Sequence, residues 1–393
     1  MRLILRKFLN TLYGFRHLLR FLIYDLHKLK KSECVFFFPY YHTGGAERVH
    51  VDILNAVQHK NCTVVFTMGS ATTNFYNSFK SRAQIIELNS ILNKKNRWIT
   101  NKLHETIVNS LNENGSLETI FGSNTSYYYN IILEVKSTVQ KIDLFHAFEE
   151  NDSKVLDVIK SVKIINKRIV INEKAKNDII GFYKLYGIES EYIQNIEIIQ
   201  NGINSSANEK YLLKKEAIKI GFVGRWSEEK RPNIFLDIAK IIKKESPYIE
   251  FVMAGRGMKS NLELINDAGV VFLGEITGKD EMATLYDSLH FILITSVYEG
   301  FPMVIMEAMS HGVIPIATNV GGISEHIEDN NNGYLINETD EISIINLCCE
   351  KILNVISDPI KKRKISKSAF DYAIENFGIQ KFNKSYKKIF FKT

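Results

Sequence analysis

Short apolar runs alternate with longer mixed stretches along this chain from Glu33 nearly to its end. Bounded apolar runs of about 4–8 residues suit buried strands, and longer amphipathic stretches suit helices. ECVFFFP (Glu33–Pro39), CTVVFT (62–67), Gln84–Leu88, Ile142–Phe148, Arg168–Asn172 and Ile196–Gly202 read as strands. Arg48–Ala56, Asn89–Gly115 and a stretch ending near Tyr186 read as helices between them. Ile120–Tyr129 starts like a strand and runs on as a polar aromatic loop. A polar stretch, 203–215, reads as a connection between domains. The pattern then restarts with strands at Ile218–Val223, Tyr248–Gly257, Phe291–Ile294, Val313–Ala317 and Tyr334–Ile336. Helices follow Pro232 and fill Glu341–Ser357 and Lys361–Thr393. Strands alternating with helices twice over predict an α/β chain with two doubly wound parallel sheets facing each other across a cleft.

The most informative stretch is Phe291–Glu325. Pro302 suits a first helical position, where its missing N–H costs nothing, and Gly312 ends the helix. Met303, Val304, Ile305, Met306, Ala308 and Met309 leave that helix almost no polar face, so it belongs inside a sheet layer. Glu307 nevertheless sits in its second turn, and Glu299 in the loop before it. A carboxylate in such surroundings needs hydrogen-bond donors. Sugar hydroxyls supply them, and the helix start offers free N–H groups to a phosphate. Glu299 and Glu307 then flank a phosphate, one holding a ribose and the other a second sugar. A glutamate paired with a lysine or arginine would fit the same pattern.

Other stretches carry weaker signals. Gly44-Gly45 stands between a strand and a helix start, where a phosphate can approach the backbone. Ile120–Tyr129, IFGSNTSYYY, suits stacking on sugar rings and plain packing equally. His146 lies near the carboxyl end of its strand, the side on which open α/β sheets bind ligands. Gly255-x-Gly257, with Glu275 at the distance of an NAD-binding acid, leaves an oxidoreductase as a minor rival. The third position of that pattern is Ser260, which argues against it.

An apolar share of 45% and a charged share of 24% are ordinary for a globular protein. Cys34, Cys62, Cys348 and Cys349 show neither metal spacing nor a disulfide framework, which fits a cytoplasmic setting. The net charge of +6 is modest, and nucleic acid is not an expected partner. The excess gathers in residues 1–31, with Arg2, Arg6, Lys7, Arg16, Arg20, Lys28, Lys30 and Lys31 against Asp25. Leu5, Phe8, Leu9, Leu12, Phe15, Leu19, Leu22 and Ile23 form an apolar stripe on the same helix. Arginines interrupt it too often for a membrane span. It reads as a basic amphipathic helix on an anionic membrane surface, placing the chain on the inner face of the membrane. The alternative is a helix packed on its own domain.

The run EGFPMVIMEAM, with Glu299 and Glu307 at its ends, followed by GGISE with Gly321, Gly322 and Glu325, resembles the signature of the retaining family-4 glycosyltransferases, glycosyl transferases group 1. TGGAER and GRWSEEKRP resemble further parts of that pattern, and the resemblance covers nearly the whole chain after residue 32. It implies the GT-B fold, two Rossmann-like domains: 32–203 for the acceptor, 204–374 for the nucleotide-sugar, and 375–393 crossing back to the first. It implies retaining transfer of a sugar from a UDP-, GDP- or ADP-sugar to a hydroxyl of a lipid-linked or cell-surface glycan. By the same resemblance Gly44 and Gly45 stand near the donor phosphates, Arg225 and Lys230 grip the diphosphate, and Glu275 and Ile276 read the base. Glu307 holds the ribose, Glu299 the transferred sugar, Gly300, Phe301 and Pro302 belong to the donor-binding positions, and His146 assists at the reacting carbon. The family often has a second histidine two residues after the first, where this chain has Phe148. No Asp-x-Asp occurs, which fits a fold that usually needs no bound metal and no permanent cofactor. A nucleotide-sugar epimerase of the same fold and a non-catalytic membrane scaffold are the alternatives.

Overall fold

A computed structural model describes residues 2–42, 44–93, 96–148, 155–204, 211 and 217–391, with side chains from residue 11 onward. The chain forms two compact units. The first comprises Met1–Ile171, Lys176–Ile199 and Asn383–Thr393, and the second Asn172–Ala175 and Gln200–Phe382.

The first unit is built on strands β1 (Cys34–Phe38), β2 (Cys62–Phe66), β3 (Gln84–Glu87), β4 (Thr119–Ser123), β5 (Gln140–Phe145), β6 (Lys167–Val170) and β7 (Ile196–Ile198). They form one parallel sheet in the order β3-β2-β1-β4-β5-β6-β7. Cys34 of β1 is in register with Cys62 on one side and Thr119 on the other. Every residue of β1 is buried, as expected of a strand covered on both faces. A charged group also lies deep in this layer. Arg168 bonds Asp143 through Nε and Nη2, at 2.7 Å for the shortest contact, and reaches Tyr183 and Ser161. The aromatic stretch differs from the sequence expectation, because Ser126–Ile132 is a helix rather than a loop. Tyr128 and Tyr129 are buried in it, donating to the Ile142 carbonyl at 2.6 Å and to Asp143 at 3.1 Å. These two rings serve packing, which removes them from sugar recognition.

The amino-terminal segment is helical from Arg2 to Lys31, with a wide turn at Phe21–Asp25. The expected stripe is joined by a second apolar set that faces inward. Leu18, Phe21 and Leu29 are buried within the first unit, and Asn114 donates to the Leu29 carbonyl at 2.8 Å. Leu12, Phe15, Leu19 and Ile23 remain exposed. The side chains of Leu5, Phe8 and Leu9 lie outside the described residues. At the other end of the chain, Phe390 stacks on Phe36 and Phe121, which seats Asn383–Phe391 in the first unit.

The second unit carries β8 (Lys219–Val223), β9 (Glu250–Ala254), β10 (Val271–Phe272), β11 (Phe291–Ile294), β12 (Ile314–Thr318) and β13 (Tyr334–Ile336). Its sheet is parallel, in the order β10-β9-β8-β11-β12-β13. Apolar clusters cover both faces, one around Phe235, Phe251 and Ile352, the other around Met306, Met309 and Phe377. The helix Met303–Ser310 belongs to the second cluster, as its lack of a polar face predicts. Pro302 caps this helix with extended backbone rather than occupying its first turn. Of the connection 203–215, residues 205–210 and 212–216 lie outside the described residues.

Candidate functional site

In the second sheet the chain changes direction between β8 and β11, the point at which open α/β sheets leave a crevice beyond their carboxyl ends. Two loops meet there, 224–231 after β8 and 295–302 after β11. They are laced by backbone: Val297 N–H donates to the Glu229 carbonyl at 2.8 Å, and the Thr295 hydroxyl lies 2.8 Å from the Lys230 carbonyl. Arg231 completes the joint. Its backbone takes a left-handed conformation, φ +46°, that lets the helix begin at Pro232. Its guanidinium is turned inward, donating to the Thr295 and Ser296 carbonyls at 2.6 and 3.1 Å. The basic loop therefore spends one cation on structure, a role the sequence reading missed.

Lys230 remains for chemistry. Its ammonium pairs with the Glu299 carboxylate and lies 3.2 Å from Glu229. Ser296 Oγ donates to the same Glu299 oxygen at 2.7 Å. Arg225 stands at the mouth of the loop, 55% exposed and 3.8 Å from Glu229. Glu307, one helical turn deeper, accepts from the Tyr286 hydroxyl at 2.9 Å. The lysine-paired reading of a glutamate thus holds for Glu299, and Glu307 accepts from a tyrosine hydroxyl. Gly300 is held from two sides, its carbonyl accepting from Gly322 N–H at 2.7 Å and Asn172 Nδ2 at 3.0 Å. Phe301 is buried beside His326 and Phe377. Glu275 is exposed on the loop after β10, and Ile276 packs against the core below it.

The glycines of GGISE have a spatial reason. Gly321 has φ +58°, and a Cβ there would lie 1.6 Å from the Glu299 carbonyl oxygen. Only a glycine lets this turn press against the Glu299 loop. Glu325 caps a helix start, accepting from the backbone N–H of Glu173 and Lys174 at 2.9 and 2.7 Å. Gly255 has φ +142° and would place a Cβ 1.8 Å from the Gly224 carbonyl oxygen, so the Gly255-x-Gly257 turn brings two loops together. That packing role accounts for the pattern without a dinucleotide.

Gly44, Gly45 and His146 lie in the first unit. The helix there begins at Gly45, three residues before the expected Arg48, with Gly44 as its cap. Glu47 folds back over this start: a Cβ on Gly44 would sit 2.1 Å from its Oε2, and His42 stands 3.9 Å from Oε1. The helix end offered to a phosphate is thus already faced by a carboxylate. His146 follows β5, and its Nε2 lies 3.1 Å from Nε2 of His50. His50 is fully buried and stacks flat on Phe38, with ring centroids 3.9 Å apart. Burial, and secondarily the neighbouring His146, hold His50 well below the usual histidine range. The sequence signal for His50 was a histidine among the apolar positions of Val49–Leu54. Among the described residues no group of three or more His, Cys, Asp or Glu side chains is arranged to hold a metal ion.

Residues 217–354 match the family model described as Glycosyl transferases group 1. This part of the chain is thus similar to the group 1 glycosyltransferases. It contains Arg225, Lys230, Glu299 and Glu307, and its two-unit parallel-sheet setting is the GT-B architecture. The chain is 25% identical over 229 residues to the poly(ribitol-phosphate) alpha-N-acetylglucosaminyltransferase of Staphylococcus aureus (strain COL), covering 57% of this chain and 43% of that protein. It is 26% identical over 239 residues to the UDP-Gal:alpha-D-GlcNAc-diphosphoundecaprenol alpha-1,3-galactosyltransferase of Escherichia coli, covering 53% and 60%. The chain therefore spans less than two thirds of the length of either relative. In fold it is similar to Anabaena HepE in complex with UDP, with a TM-score of 0.70, 19% identity and coverage of 91% of this chain and 99% of that one. A mutant of S. aureus TarM in complex with fondaparinux, alpha-GlcNAc-glycerol and UDP gives a TM-score of 0.68 at 14% identity, covering 92% and 100%.

Proposed function

We propose that this protein is a retaining glycosyltransferase that moves a sugar from a nucleoside diphosphate donor to a glycan hydroxyl in cell-surface glycan biosynthesis. The observation that carries this reading is the meeting of Lys230 and Glu299 where the second sheet changes direction, with Arg225 at the mouth and Glu307 below. Negative charge grows on the leaving diphosphate as the glycosidic bond breaks, and fixed cations stabilise it more in the transition state than before. Lys230 and Arg225 are the cations for that task. Glu299, released from Lys230, accepts hydrogen bonds from the transferred sugar, and Glu307 from the ribose. The acceptor oxygen attacks the anomeric carbon on the face the diphosphate leaves, and its proton passes to a departing phosphate oxygen. UDP is the favoured carrier, since fold neighbours are described in complex with UDP and with UDP-glucose.

A screen with UDP-, GDP- and ADP-sugars tests this, reading melting temperature and donor hydrolysis for wild type and Glu307→Ala. One nucleotide is expected to stabilise the wild type, with slow hydrolysis abolished in the variant. Formation of an isomeric nucleotide-sugar would replace the reading with an epimerase. Stabilisation by NADH alone would overturn it.

A lipid-linked or surface-polymer acceptor class is supported by the relatives, one named for poly(ribitol-phosphate) and another for a diphosphoundecaprenol-linked sugar. A lipid-linked or surface-polymer acceptor calls for contact with the inner face of the membrane. Leu12, Phe15, Leu19 and Ile23 form an exposed apolar face, with exposed Arg16 and Arg20 beside it. Apolar burial plus attraction to anionic lipid is the energetic recipe for such a helix. Among the described residues no helix is long and apolar enough to cross a membrane. Co-sedimentation with phosphatidylglycerol-containing vesicles is expected for wild type and lost in Arg16→Glu/Arg20→Glu. Equal binding to neutral vesicles, or self-association through Leu12 and Phe15, would overturn this assignment.

A further inference from the structure

We infer that Trp98 and Arg97 are a second membrane contact of the first unit, and that the surface they complete binds anionic lipid on the side of the sheet where its strands end. The inference rests on the proposed contact of the amino-terminal helix with the membrane and extends it to another element. Trp98 is 64% exposed in the first turn of the helix Arg97–Glu113, and Arg97 is exposed beside it. One exposed ring alone means little. Its neighbours give this one a direction. Asn96 caps that helix, its Oδ1 accepting from Ile99 N–H, and its Nδ2 donates to Thr11 Oγ1 at 3.0 Å. Thr11, Phe15 and Leu19 follow at four-residue spacing, which sets them in one row along a helix. Phe15 and Leu19 belong to the exposed apolar face, as does Leu12 beside Thr11. Trp98 therefore stands at the head of that face. A tryptophan suits the boundary between acyl chains and water, because its ring is apolar and its N–H is polar.

The charge matches an anionic surface. No acid occurs from Arg2 to Tyr24 or from Leu88 to His104, while Arg16, Arg20 and Arg97 are exposed. The next acid on the second helix, Glu105, faces Lys102 at 3.4 Å. Two further contacts fix how the helices run. Lys30 reaches Glu113 at 3.3 Å, and Asn114 donates to the Leu29 carbonyl at 2.8 Å. The amino-terminal helix thus lies along Arg97–Glu113 in the same direction, from Thr11 beside Asn96 to Leu29 beside Asn114. Arg97–Glu113 leads from β3 into β4 of one parallel sheet, so it starts near the carboxyl ends of the strands and returns to their amino ends. Trp98, Leu12 and Phe15 lie toward the carboxyl ends, the side on which open α/β sheets hold ligands. A lipid-linked acceptor entering there keeps its lipid in the bilayer while its sugar reaches the strand ends.

Intrinsic fluorescence of the full chain tests this, since its two tryptophans are Trp98 and Trp226. Wild type and Trp98→Phe are mixed with vesicles of phosphatidylglycerol and phosphatidylcholine, with and without brominated acyl chains. The emission of Trp98, taken as the difference between the two proteins, is expected to move to shorter wavelength on the vesicles and to be quenched by the brominated lipid. Trp98→Phe, which keeps Trp226, should show neither change. Trp98→Ser is expected to weaken co-sedimentation with these vesicles by about tenfold, the worth of a partly buried aromatic ring. Because the ring is exposed, both variants should melt as the wild type does. A wild type that co-sediments while its Trp98 emission stays unshifted and unquenched overturns the inference and leaves the contact of the amino-terminal helix standing. A wild type that fails to co-sediment overturns both. An emission shift that grows with protein concentration without vesicles would assign the face to a second copy of the chain and overturn the inference as well.

Discussion

Lys230 and Glu299, 69 positions apart in sequence, form an ion pair where two loops of the second unit meet. The groups proposed to hold the diphosphate and the sugar are therefore each other's partner in the structure. The proposed function requires donor binding to exchange that pair for a lysine–phosphate contact and to leave the carboxylate for sugar hydroxyls. Lys230→Met is expected to weaken UDP binding by about 10–100-fold, the range of a lost charge-assisted hydrogen bond. Glu299→Gln should keep UDP affinity within about threefold, since it removes only the competing partner, and yet abolish turnover of the UDP-sugar. Calorimetric titration with UDP, set beside steady-state rates, separates the two effects. Equal losses of UDP affinity in both variants would contradict the exchange.

Gly321→Ala tests the turn that supports Glu299. The added Cβ would meet the Glu299 carbonyl oxygen at 1.6 Å on a backbone with φ +58°, so the loop must move. Donor binding and turnover should both fall, with a loss of stability of about 1–3 kcal/mol. Gly115→Ala is the control, because a Cβ there meets nothing within 4 Å. Turnover and urea denaturation of the two variants provide the comparison.

Breaking the buried Asp143–Arg168 pair from one side leaves an uncompensated charge. Asp143 is 0% and Arg168 1% exposed, and Tyr129, Tyr183 and Ser161 bond into the pair. Arg168→Met is expected to cost about 3–5 kcal/mol by urea denaturation. An Asp143→Leu/Arg168→Met double variant should recover part of that loss, because no lone charge remains.

Acid should act on the second unit through His326. Burial pushes its pKa from 6.5 down to about 4, with Nε2 donating to Gln200 and Nδ1 accepting from Tyr372. The unfolded chain therefore takes up a proton below pH 6.5 that the folded protein refuses until about pH 4. Stability from this group is fully present above pH 6.5 and is lost as pH falls toward 4. The stability difference between wild type and His326→Gln should shrink across that window in parallel urea titrations. A difference independent of pH would show that His326 titrates normally.

Much of the architecture was legible because it rests on local patterns. β11 and β13 fall where the apolar runs at Phe291–Ile294 and Tyr334–Ile336 predicted them. The buried helix after Pro302 was equally legible, since its lack of a polar face has one physical solution. The aromatic stretch was not. In sequence Tyr128 and Tyr129 fit ligand-facing and packed rings equally, and only the carbonyl of Ile142 and the carboxylate of Asp143 reveal that their hydroxyls are satisfied inside. The amino-terminal helix was legible as amphipathic, but its division into a buried and an exposed face depends on which side the sheet unit covers.

The sequence by itself determined the alternation of strands and helices, the two-unit parallel α/β plan, and the residues Arg225, Lys230, Glu299 and Glu307 as one candidate set. Periodicity, turn residues and motif spacing are properties of neighbouring positions, so they survive without coordinates. Only the tertiary structure decided partners. It turned Arg231 inward and left Lys230 for Glu299, set Gly321 against the Glu299 carbonyl, and brought His50 to His146 across 96 positions. A hydrogen bond or ion pair depends on distances of a few ångströms between side chains far apart in the chain. Those distances follow from packing of the whole sheet unit, which no local pattern encodes.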